Sequence, residues 1–178
     1  MSKRTVFTTS LLTALFVIGY SGNAANSSAA STAGVQGYDC IDLISEQEID
    51  EVIALSGTKR VSGVRGDEND ILPGHTQCGY ALPLDFVVHV DVYSGEGFGE
   101  ALETFAFVRD MAQDQGAEML TGFGDSALIQ TDYLTGSRVL ARVAGYGIIV
   151  GAGDLEGLGR LDLDEVIKRI LAILIERL

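Results

Sequence analysis

Three strand-like runs, Ser126–Tyr133, Arg138–Val143 and Gly147–Gly151, follow one another with only a few residues between them. Strands joined so closely pair antiparallel, because a parallel crossover needs a dozen residues or more. The last two runs are joined by Ala144-Gly145-Tyr146-Gly147, a glycine-bearing connection suited to a hairpin. Upstream, Phe86–Tyr93 alternates strictly: Phe86, Val88, Val90 and Val92 lie on one face, and Val87, His89, Asp91 and Tyr93 on the other. Thr76–Leu82 places Cys78, Tyr80 and Leu82 on a single face, and a weaker run spans Arg60–Arg65. Together these predict an antiparallel sheet of about five to six strands.

Three helices flank the strands. Ser45–Leu55 opens with a capping box, Ser45 with Glu48 three residues on, and Ile44 and Ile49 stand where a hydrophobic staple places its two side chains. Ile49, Val52 and Ile53 form its apolar stripe, and Gly57 offers the left-handed stop. Gly99–Gln115 turns Ala101, Phe105, Val108 and Ala112 to one side, broadened by Leu102 and Met111. Asp162 caps a helix running to the C-terminus, where Leu163, Val166, Ile167, Ile170, Leu171, Leu174 and Leu178 face inward. Three helices packed on one antiparallel sheet define an α+β domain.

The first 24 residues have the three parts of a secretory leader: Lys3 and Arg4, then the apolar run Leu11–Tyr20, then small residues with Gly22 and Ala24 placed for cleavage after Ala24. Ser28 and Ala30 provide an alternative cut after Ala30. Even Val6–Tyr20 falls short of the ~20 residues a spanning helix needs. Residues 25–37, rich in Ala, Ser, Thr, Gly and Asn, read as a flexible lead into a single domain at 38–178. The whole chain has a net charge of -13; without Lys3 and Arg4 it keeps ten cations against 25 acids, a net -15. Such a balance argues against nucleic acid and anionic lipid as partners, and for a soluble protein in the periplasm or the medium.

Cys40 and Cys78 are the two cysteines. In an exported chain such a pair reads most simply as a disulfide, with two free thiols as the other reading. A C-x-x-C redox pair is absent, and two cysteines with two distant histidines fall short of a zinc site.

Four segments invite functional readings. The run Gly151-Ala152-Gly153 begins like a dinucleotide fingerprint, but Glu156 stands at the third glycine and Asp154 sits beside it, where a pyrophosphate would be repelled. Asp67, Glu68 and Asp70 invite a cation, although Ile71 and Leu72 occupy the positions where an EF-hand loop needs an oxygen ligand and a glycine. His89 and Asp91 share a strand face two residues apart, as a metal corner or an acid–base pair would need. One strand gives only two ligands and His75 lies in a loop, so the default reading is a histidine on the less apolar face of a half-exposed sheet. Gly122-Phe123-Gly124-Asp125 is explained as a turn entering a strand.

The order Cys40-Ile41-Asp42-Leu43-Ile44 leading into Glu48, then Cys78 on a strand, then Gly122-Phe123-Gly124-Asp125-Ser126-Ala127, then a C-terminal amphipathic helix, resembles a group of small exported bacterial proteins of unknown function. These are commonly actinobacterial lipoproteins within the wider PsbP-like α/β/α sandwiches, and their motifs read C-x-L-L-(T/S)-x-x-E, C-x-W and G-x-G-D-x-A. The resemblance covers about residues 39–178. Tyr80 stands where that group often has Trp, and no lipobox cysteine follows the leader, so membrane anchoring does not carry over. The resemblance implies a PsbP-like sandwich and a Cys40–Cys78 bridge, and it supplies no catalytic residue, cofactor or metal. The expected function is that of an exported, non-enzymatic module binding a protein partner or a small ligand. A divalent-cation carrier or sensor using Asp67, Glu68 and Asp70 is one alternative, and a hydrolase centred on His89 and Asp91 is another.

Overall fold

The computed structural model describes residues 38–65, 74–94, 99–133, 136–154 and 161–178. The expected leader at 1–24, the expected lead at 25–37 and the acidic segment Asp67–Asp70 lie outside these residues. Among the described residues the strands all belong to one antiparallel sheet of seven: β1 (Lys59–Arg65), β2 (His75–Ala81), β3 (Phe86–Ser94), β4 (Glu118–Leu120), β5 (Ser126–Tyr133), β6 (Gly136–Val143) and β7 (Tyr146–Asp154), in the spatial order β1-β2-β3-β7-β6-β5-β4. The sequence leads one to expect five to six, and the additional strand is β4. The chain first makes a meander, β1 to β3. It then crosses the sheet by helix α3 (Gly99–Asp114) and returns from the far edge as a second meander, β4 to β7. The two halves join along β3 and β7, paired from Phe86↔Asp154 to Ser94↔Tyr146.

Local chemistry accounts for these turns. Ala144 and Gly145 both have positive φ, 47° and 91°, the two-residue type I′ geometry that matches strand twist, so β7 begins at Tyr146. The strand β4 exists because α3 ends in a Schellman turn. Gly116 (φ 88°) lets its own N–H reach the Gln113 carbonyl (3.0 Å) and the Ala117 N–H reach that of Ala112 (2.9 Å), which reverses the chain onto the edge of the sheet.

Helices cover both faces of the sheet. On one side lie the short turn α1 (Cys40–Leu43), α2 (Glu46–Ile53) and α4 (Leu163–Arg177), sharing a core with Val88, Val90, Val92, Val139, Ile148 and Val150. On the other, α3 packs Ala101, Phe105 and Ala112 against Tyr93, Leu140 and Ile149. The capping box of α2 forms as expected: the Ser45 hydroxyl accepts from the Glu48 N–H (3.3 Å), and the Glu48 carboxylate accepts from the Ser45 N–H (2.9 Å). Ile44 and Ile49 are both fully buried. The helix stops earlier than expected: Ala54 (φ 54°) is its left-handed C-cap, and Gly57, also at positive φ (108°), follows in the loop. The Asp50 carboxylate accepts from the N–H groups of Gly57 and Thr58, both at 3.0 Å, and so pulls the following loop back over the last turn. Met111, expected to broaden the inward face of α3, is instead exposed. The Asp162 carboxylate caps α4 by accepting from the Glu165 N–H (3.1 Å). Near its other end, Arg177 donates to the Leu43 carbonyl (2.7 Å) and pairs with Glu48, clamping the last helix onto α1 and α2.

Candidate functional site

The α3 side of the sheet carries a polar strip built by strand alternation. His75 and Gln77 on β2, His89 and Asp91 on β3, Arg138 on β6 and Gln130 on β5 all point to this face, because their alternate neighbours fill the opposite core. Asp91 is buried, and its Oδ1 accepts from Gln77 Nε2 (3.0 Å) while bonding to His75 Nε2 (2.9 Å). The His75 ring stacks on Tyr93, with centroids 4.2 Å apart. Thus the carboxylate–imidazole pair of this protein is Asp91–His75. The His89–Asp91 pairing suggested by the sequence does not form, because residues two apart on one strand project side by side, whereas His75 reaches Asp91 diagonally from the neighbouring strand.

His89 occupies a different setting. Gly151 pairs with it on one side and with Arg138 on the other, so the three form one row across β3, β7 and β6. The imidazole fills the space above Gly151: an added Cβ there would lie 1.9 Å from its Cε1. Burial holds the imidazole below its ordinary value near 6.5; Asp91 pulls it back up, while Arg138 pushes it further down. Among the described residues His89 makes no hydrogen bond. Arg138 donates from Nε to Gln130 Oε1 (2.9 Å), and Gln130 in turn donates to Gln115 at the end of α3 (3.4 Å), a relay joining two strands to the helix.

The opposite layer holds the cysteines. Cys40 and Cys78 form a disulfide with their Cα atoms 5.7 Å apart, tying α1 to β2. Next to it the Tyr80 hydroxyl donates to the Ile44 carbonyl (2.8 Å), and burial raises this phenol to about 12. A cavity of about 220 Å³ opens beside Tyr80 between the α1–α2 junction and β1, lined also by Ile44, Glu46 and Arg60. Glu46 accepts from the backbone N–H of Arg60 (2.6 Å), which occupies a donor of edge strand β1.

The structure therefore joins Cys40 to Cys78 and leaves His89 unbonded to the Asp91 it was matched with; Asp67, Glu68 and Asp70 lie outside the described residues. It adds His75, Gln77, Gln130 and Arg138, which the sequence analysis did not single out as a cluster. The sequence run begins at Thr76 and leaves His75 outside it; β2 in fact begins at His75, and its register against β3 brings His75 and Gln77 to Asp91. Among the described residues no group of three or more His, Cys, Asp or Glu could hold a metal ion, and no helix is long and apolar enough to cross a membrane. Chemically, a buried carboxylate that fixes an imidazole is half of a general-base arrangement; no hydroxyl or thiol among the described residues is bonded to His75 to complete it.

The fold and site together define an α+β sandwich with helices on both faces, stapled by one disulfide and crossed by a polar strip. Among solved structures, this chain is similar to the extracellular domain of PknH from Mycobacterium tuberculosis: TM-score 0.51, 13% sequence identity, covering 81% of this chain and 98% of that one. At this identity the likeness concerns the fold. No family model matches the chain, and no curated protein does. Nothing in these comparisons bears on a PsbP-like relationship.

Proposed function

We propose that this chain is an exported, non-enzymatic binding module that recognises a protein partner. The observation that carries this reading is the distribution of exposed apolar side chains. Phe107 (65% exposed), Met111 (42%) and Met119 (65%) stand open on α3 and the neighbouring edge strand, while the groups best suited to acid–base chemistry, His75 and Asp91, are bonded to each other inside the sheet. The disulfide supports an oxidising compartment, in agreement with the leader-like N-terminus. The test is site-specific photocrosslinking in the producing cell, with a photoreactive residue at Phe107 and, as control, at exposed Arg169 on α4. A discrete adduct from position 107 alone is the expected result; equal yields, or none, refute the reading.

One specific observation favours a small ligand instead: the half-buried His89 ring without a hydrogen-bond partner among the described residues. In that case the His89 Cε1–H resonance shifts on titration with the ligand, and His89→Gln abolishes the binding. A calcium-dependent rise in melting temperature would support the cation alternative, since a ligand of the native state stabilises it.

A further inference from the structure

Phe107 and Met111 lie one turn apart on α3, with Gln115 one turn further, so the three form a single stripe along the helix. Gln115 bonds to Gln130 on β5, which identifies this stripe as the flank of α3 facing the β5–β4 end of the sheet. Met119 on β4 pairs with Leu128, which pairs with Leu140 and through it with Ile149. Met119 thus extends the α3-side row of the sheet one strand beyond the packed core, on the same side as the stripe. Phe107, Met111 and Met119 are thus exposed apolar side chains on the same side of the sheet, two on the helix flank and one on the edge strand.

Their surroundings are mostly acidic. On α3 the acids Glu100, Glu103, Asp110 and Asp114 are all exposed against one base, Arg109, a net of -3 for the helix; Glu118 points to the opposite face of β4, and the exposed Arg142 of β6 stands on the α3 side of the sheet. Methionine and phenylalanine make an adaptable apolar surface, and a rim of carboxylates selects cations around it. An anionic membrane surface is repelled by the same rim.

We propose that the Phe107–Met111–Met119 surface docks a basic amphipathic segment of a partner protein, with apolar anchors at helical i, i+4 spacing and Lys or Arg on its flanks. This rests on the binding-module reading and names its partner class by apolar fit and charge complementarity.

The test uses the full chain and two synthetic helical peptides with the same Leu face, one carrying Lys on its polar face and the other Glu, measured by fluorescence anisotropy. The Lys peptide binds, more weakly as salt rises, and the Glu peptide does not. A net-acidic protein attracts any cationic peptide, so the deciding variant is Phe107→Ser/Met111→Ser, which changes no charge. It weakens binding about tenfold or more, as loss of an interface anchor does, and being exposed it leaves the melting temperature nearly unchanged. Glu103→Lys/Asp110→Lys weakens binding similarly, whereas Glu51→Lys/Glu176→Lys on the opposite layer leaves it within about twofold. Equal affinity for the two peptides, or full affinity in the Phe107→Ser/Met111→Ser variant, overturns the proposal. So does self-association, or adsorption to phosphatidylcholine vesicles, that the same variant abolishes. If the Lys peptide fails to bind while the crosslink from position 107 persists, the basic-segment proposal falls and the binding-module reading stands.

Discussion

Gly147 and Phe105 make a sharp test of how the α3 layer is packed. Gly147 is a buried strand residue, and a Cβ added there would lie 2.4 Å from Phe105 Cγ and 2.7 Å from both Cδ atoms. Phe105 is 2% exposed, 5.8 Å from the Tyr93 ring, and shares its core with Ala101 and Ala112. Elsewhere, Gly→Ala in a strand stabilises by about 0.5–1 kcal/mol by restricting the unfolded chain. Here that gain is set against overpacking, about 1–3 kcal/mol if Phe105 shifts in place, and against the larger loss of about 3–5 kcal/mol if the ring is expelled. Gly147→Ala is therefore expected to destabilise by about 2 kcal/mol, measured by urea denaturation with an unchanged m-value. The deciding arm is a double-mutant cycle with Phe105→Ala: once the ring is gone the added methyl has space, so the penalty disappears or reverses, a coupling of about 2–3 kcal/mol. An equal penalty in both backgrounds would refute the argument. Gly151→Ala is the parallel case. The atoms it meets belong to the half-buried His89 ring, the nearest at 1.9 Å, so the ring must give up the space above Gly151 at a cost of about 1–3 kcal/mol.

Removing the disulfide by Cys40→Ser/Cys78→Ser releases a loop of sequence separation 38; the chain-entropy relation gives a loss of about 4 kcal/mol, read as a lower urea midpoint. Leu84 holds φ 64° in the turn between β2 and β3, so Leu84→Gly should stabilise by about 1 kcal/mol and raise the melting temperature by a few degrees, whereas an unstrained Leu would give the opposite sign. His89, lowered in the folded state from 6.5 by burial, contributes stability that is present above that pH and is lost as pH falls below it, because the unfolded chain then takes up the proton first; His89→Gln should flatten this part of the stability–pH curve. Tyr80, raised to about 12, contributes stability present below its unfolded value near 10 and lost above it. Tyr80→Phe, which leaves the Ile44 carbonyl short of its buried donor, should cost about 1–2 kcal/mol in thermal unfolding.

What could be read from the sequence follows the range of the interactions concerned. The capping box of Ser45 and Glu48, the Asp162 cap and the alternation of Phe86–Tyr93 depend on residues within a few positions of one another, and they appear in the structure nearly as expected. The short strand β4 was hidden because Glu118-Met119-Leu120 is too brief to show a period, and its place is set by the Schellman turn before it. The end of α2 was misplaced because Asp50 bonds a loop seven and eight residues away, which a search for the nearest glycine overlooks. The polar strip was legible only in pieces. Alternation placed His89 and Asp91 on one face, but the partner of Asp91 is chosen by strand register, which brings His75 across 16 positions. Met111 was assigned inward from helical spacing alone; the stripe it belongs to is on the flank of α3, and the helix packs on a narrower arc than its apolar residues cover.

The position of β7 bears on when such a chain can complete its fold. It is the last strand made, yet it lies in the middle of the sheet, and the two meanders have no shared edge until residues 146–154 emerge to pair with β3. Before then β3 is an open edge and α4, which seals the opposite core, does not exist. Long-range pairing of this kind is slow because the closure entropy is met before the contacts form. The domain therefore cannot lock while its C-terminal strand and helix are still unmade, so translation order itself postpones closure of the sheet.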